Sequence, residues 1–210
     1  LQNKLKSGIY KYFRENFVLY LVMFICLIVG IVAGAITIKI LNDTQKTSIL
    51  TFFNSFFKVL ENNDFNSTEV FKQSLWDNLK TIFIIWATGL IVIGVAVIPV
   101  ILSIRGFALG FTVGFLVNEF GLKGFLFSLL VVLPQNLFII PGIISISSAG
   151  VSFSINRIRR RKERLYRNNL ISDIINYSFI VLLFAMLVIV GSIIEGYVSP
   201  IFMKFVTEIK

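Results

Sequence analysis

The chain has 210 residues, 56% of them hydrophobic and 15% charged, with a formal net charge of +9 and a mean hydropathy of +0.86. A soluble domain would be about half apolar and about one quarter charged; here the apolar residues come in long uncharged blocks, which excludes an ordinary soluble domain. The single cysteine, Cys26, leaves no intramolecular disulfide, and the absence of histidine removes the commonest general base and metal ligand.

Residues 1–16 are basic, with Lys4, Lys6, Lys11 and Arg14, and precede the apolar run Phe17 to Ile38. That run exceeds a signal-peptide core of roughly 7–15 residues and no small-residue cleavage site closes it. It is expected to be a retained first span over 17–41, close to the roughly 20 helical residues that match a bilayer core. Residues 42–80 are polar, carrying Asp43, Glu61, Asp64, Glu69 and Asp77 against Lys46, Lys58, Lys72 and Lys80. Inside them Ile49, Phe52, Phe53, Phe56, Phe57 and Leu60 recur at helical spacing. This amphipathic helix either lies in the membrane interface and meets a partner or packs against the protein's own spans.

Asn66 followed by Glu69 resembles a capping box and predicts a helix start. The second span is expected over 81–104, with Pro99 and Arg105 at its boundary. Gly106, Gly110 and Gly114 then form a small-xxx-small face that allows close helix approach. The segment 106–117 amounts to only about 18 Å of helix, so it is either a short span or half of a re-entrant hairpin that turns within 118–124. In the next span, 125–151, Pro134 and Pro141 flank Gln135 and Asn136. Each proline lacks an N–H, so the carbonyls of Leu130 and Leu137 lose helical donors and a broken helix is expected.

A basic loop follows over 156–172, with Arg157, Arg159, Arg160, Arg161, Lys162 and Arg164 against Glu163. The last span is expected over 174–194, with a tail over 195–210. Basic residues near span ends stay cytoplasmic, which puts residues 1–16 and the 156–172 loop inside. The 42–80 segment and the tail then lie outside. The expected fold is an all-α integral membrane protein, a bundle of about five transmembrane or re-entrant helices with an extracytoplasmic amphipathic helix.

No expected span holds a central Asp for a carboxylate dyad, and no phosphate-binding GxxxxGK[ST] pattern occurs. The chain therefore reads as non-enzymatic, with no cofactor. Gln135 and Asn136 serve either as interhelical glue or as part of a transporter or channel site. The nearest charges, Arg105, Glu119 and Glu195, fall at the ends of the expected segments, which favours glue. The arginine-rich loop is a topology signal and a candidate contact for anionic lipid; nucleic acid is not expected.

The stretches GFTVGFLVNEFG (110–121), VLPQNL (132–137), GVSFSI (150–155) and EGYVSP (195–200), in this order and spacing, resemble the stage II sporulation protein M family. The resemblance covers nearly the whole chain. It implies a multispanning protein of the sporulation septum and engulfing membrane, acting when the mother-cell membrane migrates around the forespore. It also implies a scaffold for two peptidoglycan-degrading partners, stage II sporulation proteins D and P. The matched positions include Gly110, Gly114, Pro134, Gln135, Asn136, Glu195, Tyr197 and Pro200, as packing or interaction positions. Phe52, Phe53, Phe56 and Phe57, with Glu195, Tyr197 and Pro200, are the candidate partner-binding residues.

Overall fold

The computed structural model describes residues 16–61, 66–162 and 170–202. They are almost wholly helical, with no strand among them. Helix α1 spans Phe17–Thr37 and ends in a 3-10 turn, Ile38–Ile40. Helices α2 (Asp43–Glu61), α3 (Ser67–Gly89) and α4 (Gly94–Phe127) follow. A π turn, Ser128–Val132, leads into α5 (Leu133–Lys162). Helix α6 (Leu170–Ile193) runs into a second π turn, Ile194–Val198.

Three stretches among the described residues are long and apolar enough to cross a membrane: Phe17–Ile40, Gly94–Arg159 and Leu170–Phe202. Their outward side chains are large and apolar, as at Phe17, Phe24, Ile104, Leu137, Phe179 and Met186. A continuous exposed apolar surface of this kind is tolerated in lipid and not in water. The fold is an all-α integral membrane bundle.

Register fixes the helix directions. Gly106 packs on Leu27, Gly110 on Ile31 and Gly114 on Ala35, so α1 and α4 run parallel. Asn78 meets Ser192 while Tyr177 reaches the Ile85 and Trp86 carbonyls, so α3 and α6 are antiparallel. Gly142 against Val188 and Gly191 against Ile139 make α5 and α6 antiparallel as well. Helices α1, α3, α4, α5 and α6 therefore traverse the bundle alternately. The core between them is built on Met23, Ile85, Ile98, Leu102, Ile146 and Val188, all essentially inaccessible.

Three expected boundaries move. The apolar run expected as one span over 81–104 contains a tight turn at residues 90–93 instead. Its amides bond locally (Ile91 N–H to the Thr88 carbonyl at 3.0 Å, Gly94 N–H to the Ile91 carbonyl at 3.1 Å). Its outward carbonyls are met by α5: Ser154 Oγ donates to Gly89 O and Ile91 O, and Arg157 donates to Leu90 O. Irregular backbone inside an apolar bundle requires such partners.

Residues 67–80, expected as part of the polar 42–80 segment, form the first half of α3, which runs unbroken from the expected start at Asn66 past Trp76 and Trp86. The helix starts where Asn66 Oδ1 accepts from the Thr68 N–H at 3.1 Å. The segment 106–117 is not a separate short element: α4 is continuous from Gly94, through Pro99 and Arg105, to Gly121. Gly121 has φ 56° and ψ −129°, a conformation that essentially only glycine adopts without strain. The chain reverses there, so that Gly124 lies on the Leu116 carbonyl.

The proline-broken helix is also corrected. Pro134 is the second residue of α5, where a missing N–H costs little. The preceding π turn absorbs the register change, and two side chains add donors to the carbonyls of that turn. Ser199 Oγ donates to Val131 O at 3.1 Å and Asn136 Nδ2 to Val132 O at 2.7 Å. Pro141 lies within the continuous α5.

Candidate functional site

The polar residues of α3 fall on one face. Ser74, Asn78 and Thr81 are spaced i, i+4, i+7, which stacks them along a helix. Helix α6 answers with Ser192 and Glu195, three residues apart. Ser74 Oγ donates to Glu195 Oε2 at 2.5 Å, and Asn78 Nδ2 donates to Ser192 Oγ at 3.0 Å. From α4, Arg105 Nη2 donates to Thr81 Oγ1 at 2.6 Å and to the Asp77 carbonyl at 3.2 Å. The Asp77 carboxylate itself turns outward and accepts from Gln73 at 2.8 Å and Lys80 at 3.2 Å.

Two of these groups, Arg105 and Glu195, border a chamber of about 300 Å³ lined by α1, α4, α5 and the two π turns. Arg105, Thr112, Gln135, Asn136 and Glu195 supply its polar lining, and Leu27, Leu102 and Ile139 its apolar walls. Glu195 lies in the π turn Ile194–Val198, and such turns recur at functional sites. The expectation that Arg105 sits at a segment end is overturned. Arg105 lies inside α4 at the level of the middle of α1, where Gly106 meets Leu27. Glu195 continues the apolar α6. Both face the same chamber as Gln135 and Asn136, which therefore line a cavity in addition to bonding within the bundle.

The other predicted residues have distinct places. Gly106 and Gly110 press on the α1 backbone at Leu27 and Ile31, and Gly114 faces Ile38 and Ala35. Their partners Gly30 and Gly34 lie on α4 at Ser103, Phe107 and Phe111, and a Cβ on either would overlap backbone carbonyls there. Phe52 is 69% exposed, whereas Phe53 stacks on Phe115 at 5.4 Å. The side chains of Phe56 and Phe57 lie outside the described residues. Tyr197 is 44% exposed beside Phe71, while Pro200 is buried. Arg157 caps the 90–93 turn and Arg159 is exposed. The side chains of Arg160, Arg161 and Lys162, and all of Arg164, lie outside the described residues.

Phe53 and Phe202 pack on one small cluster, Leu116, Phe127 and Val131. The amphipathic α2 and the segment after α6 are thus brought together at one end of the bundle. Sequence reasoning missed Ser74, Asn78, Thr81 and Ser192, although their spacing was there to be read. It also missed the Gly30-xxx-Gly34 pair facing the α4 glycines.

No curated protein and no solved structure matches the chain. The family model described as Stage II sporulation protein M matches residues 23–200, which takes in α1 from Met23 onward, the other four traversing helices and the π turn that carries Glu195. Over that length the match is to the bundle itself, and the chain belongs to the stage II sporulation protein M family.

Proposed function

We propose that this sporulation-related membrane protein is a non-enzymatic scaffold of the engulfment machinery. In this reading it recruits and localises peptidoglycan-degrading partners, stage II sporulation proteins D and P, at the septal membrane. The observation that carries the reading is the convergence of α2 and the post-α6 segment at one end of the bundle, with Phe52 and Tyr197 exposed there. The opposite end holds the start of α1, the 90–93 turn and Arg157. The basic residues Lys4, Lys6, Lys11 and Arg14 precede α1 in the sequence, and positive charge before a span retains its start in the cytoplasm. The α2 end then faces the space between the septal membranes, where tethering raises a hydrolase's effective concentration without new chemistry.

Co-purification of the two partners with Phe52→Asp and Tyr197→Asp variants tests this. Both side chains are exposed at the surface, Phe52 at 69% and Tyr197 at 44%, and unchanged thermal unfolding of the variants separates partner loss from loss of the Phe53 and Phe71 ring contacts. Loss of partner P or partner D with either variant supports the scaffold; full recovery of both partners with the double variant removes these surfaces from the proposal.

The chamber favours a second reading, a small-molecule transporter or channel centred on Gln135 and Asn136, since buried charges often line transport sites. Solute flux into reconstituted vesicles that falls with Gln135→Ala would establish it over scaffolding.

A further inference from the structure

A second cavity, of about 450 Å³, opens between α4 and α5 on the outer surface of the bundle. Its walls are almost wholly apolar, with Leu109, Val113, Phe125, Leu129, Leu133 and Leu137. Phe125, Leu129, Leu133 and Leu137 are each exposed at the bundle surface, so the slot is open to lipid. It shares Leu109, Val132, Asn136 and Ile140 with the polar chamber. An apolar slot reached from the bilayer therefore abuts a polar cavity, with Asn136 at the junction.

The charges in the chamber are of both signs. Arg105 spends Nη2 on Thr81 and on the Asp77 carbonyl, which leaves its other N–H groups with no partner among the described residues. Glu195 takes the Ser74 hydroxyl on Oε2. The two residues line the same chamber, and no ion pair joins them among the described residues. Charges removed from water and left unpaired are costly. A ligand that carries both an anionic and a cationic group would satisfy the two at once, and a ligand with an alkyl chain would also fill the slot.

We infer that the adjoining cavities bind an aminophospholipid from the bilayer. Its phosphate lies against Arg105, its primary ammonium against Glu195, and an acyl chain in the slot along Leu129, Leu133 and Leu137. With Nη2 held by Thr81 and the Asp77 carbonyl, the remaining N–H groups of Arg105 offer the phosphate single charge-assisted hydrogen bonds. A carboxylate needs N–H donors in return, which ethanolamine has and choline lacks. The chamber's volume is at the lower end of small-ligand sites, the size for a headgroup and not for a whole lipid. The inference does not rest on the scaffold reading and would stand if that reading failed.

The test is lipid retention by the full chain in detergent micelles, read by native mass spectrometry. It is titrated with phosphatidylethanolamine, phosphatidylcholine and phosphatidylglycerol of equal chain length, and with soluble glycerophosphoethanolamine. Phosphatidylethanolamine is expected to bind about tenfold tighter than the other two lipids, the value of one extra charge-assisted hydrogen bond. Glu195→Gln should bring it down to the phosphatidylcholine level. Leu133→Trp should weaken all three lipids by blocking the slot, without altering thermal unfolding, because Leu133 is at the surface. Equal retention of phosphatidylethanolamine and phosphatidylglycerol by the unaltered chain would overturn the inference. So would undiminished retention by Leu133→Trp. Binding of the soluble headgroup as tightly as the lipid would also overturn it, in favour of a water-soluble zwitterion.

Discussion

Ser199 Oγ donates a 2.9 Å hydrogen bond to Gln135 Oε1 across 64 residues of sequence. The same hydroxyl serves the Val131 carbonyl, so one buried serine joins the chain after the second π turn to the turn and helix that follow the first. Both acceptors lie where Pro134 disturbs the regular ladder. Ser199→Ala removes the one hydroxyl proton that the two acceptors share, and leaving a buried acceptor unpaired costs about 1–3 kcal/mol. A lowered unfolding temperature of the detergent-purified chain is expected, with Ser199→Thr near the unaltered value. Identical unfolding of the alanine variant would mean that this bond contributes nothing net.

The α1–α4 contact makes a sharper prediction. A Cβ on Gly30, Gly34, Gly106 or Gly110 would meet backbone of the facing helix, which cannot rotate away as a side chain can. Gly110→Leu should therefore separate the helices, at a cost of about 1–3 kcal/mol or more for overpacking. Gly121→Ala meets no neighbouring atom, yet the positive φ there strains any other residue by about 1–3 kcal/mol. Disulfide crosslinking between cysteines placed at Ile31 and Phe111, in a chain lacking Cys26, separates the two cases. Crosslinking should fall with Gly110→Leu and persist with Gly121→Ala. Persistence in both would rule out the close approach as the constraint.

Arg157 is the third. It was legible only as one charge of a basic loop, and its structural task is to donate to the Leu90 carbonyl inside the 90–93 turn. Arg157→Gln should destabilise the chain, whereas Arg159→Gln, on an exposed side chain, should not. Unfolding temperatures of the two variants decide the point. Equal effects would reduce Arg157 to a topology signal like its neighbours.

What could be read from the sequence follows from how hydropathy works. Apolar runs such as Phe17 to Ile38 and Ile174 to Ile194 have polar or basic flanks, so α1 and α6 fall close to where they were expected. The 90–93 turn has no such flank. Leu90, Ile91, Val92 and Ile93 are apolar because Ser154 and Arg157, more than sixty positions away, satisfy the turn's carbonyls. Only Gly89 and Gly94 bracket it. The reverse error occurred at Arg105, a charge after a proline and before a glycine that reads as a helix boundary. It is instead held within α4 by Thr81 and by the Asp77 carbonyl. The same long-range contacts hid the chamber. Gln135 and Asn136 were legible as a polar pair, but nothing local in the chain shows that Arg105 and Glu195 face them.

Orientation is the last prediction, and it rests on helix direction together with charge. Helices α1, α3, α4, α5 and α6 alternate, so α2 and the 90–93 turn lie at opposite ends of the bundle whatever the membrane position. The basic residues before α1 assign the turn end to the cytoplasm. Single cysteines placed by Phe52→Cys and Val92→Cys, in a Cys26→Ser background, test that assignment in intact cells, since Phe52 is exposed and Val92 is 37% exposed. A membrane-impermeant maleimide should label the Phe52 variant and leave the Val92 variant untouched until the membrane is opened. Labelling of both before lysis would break the alternation of the five helices. Labelling of Val92 alone would invert the bundle and place Phe52 and Tyr197 on the cytoplasmic face, where no cell wall lies within reach.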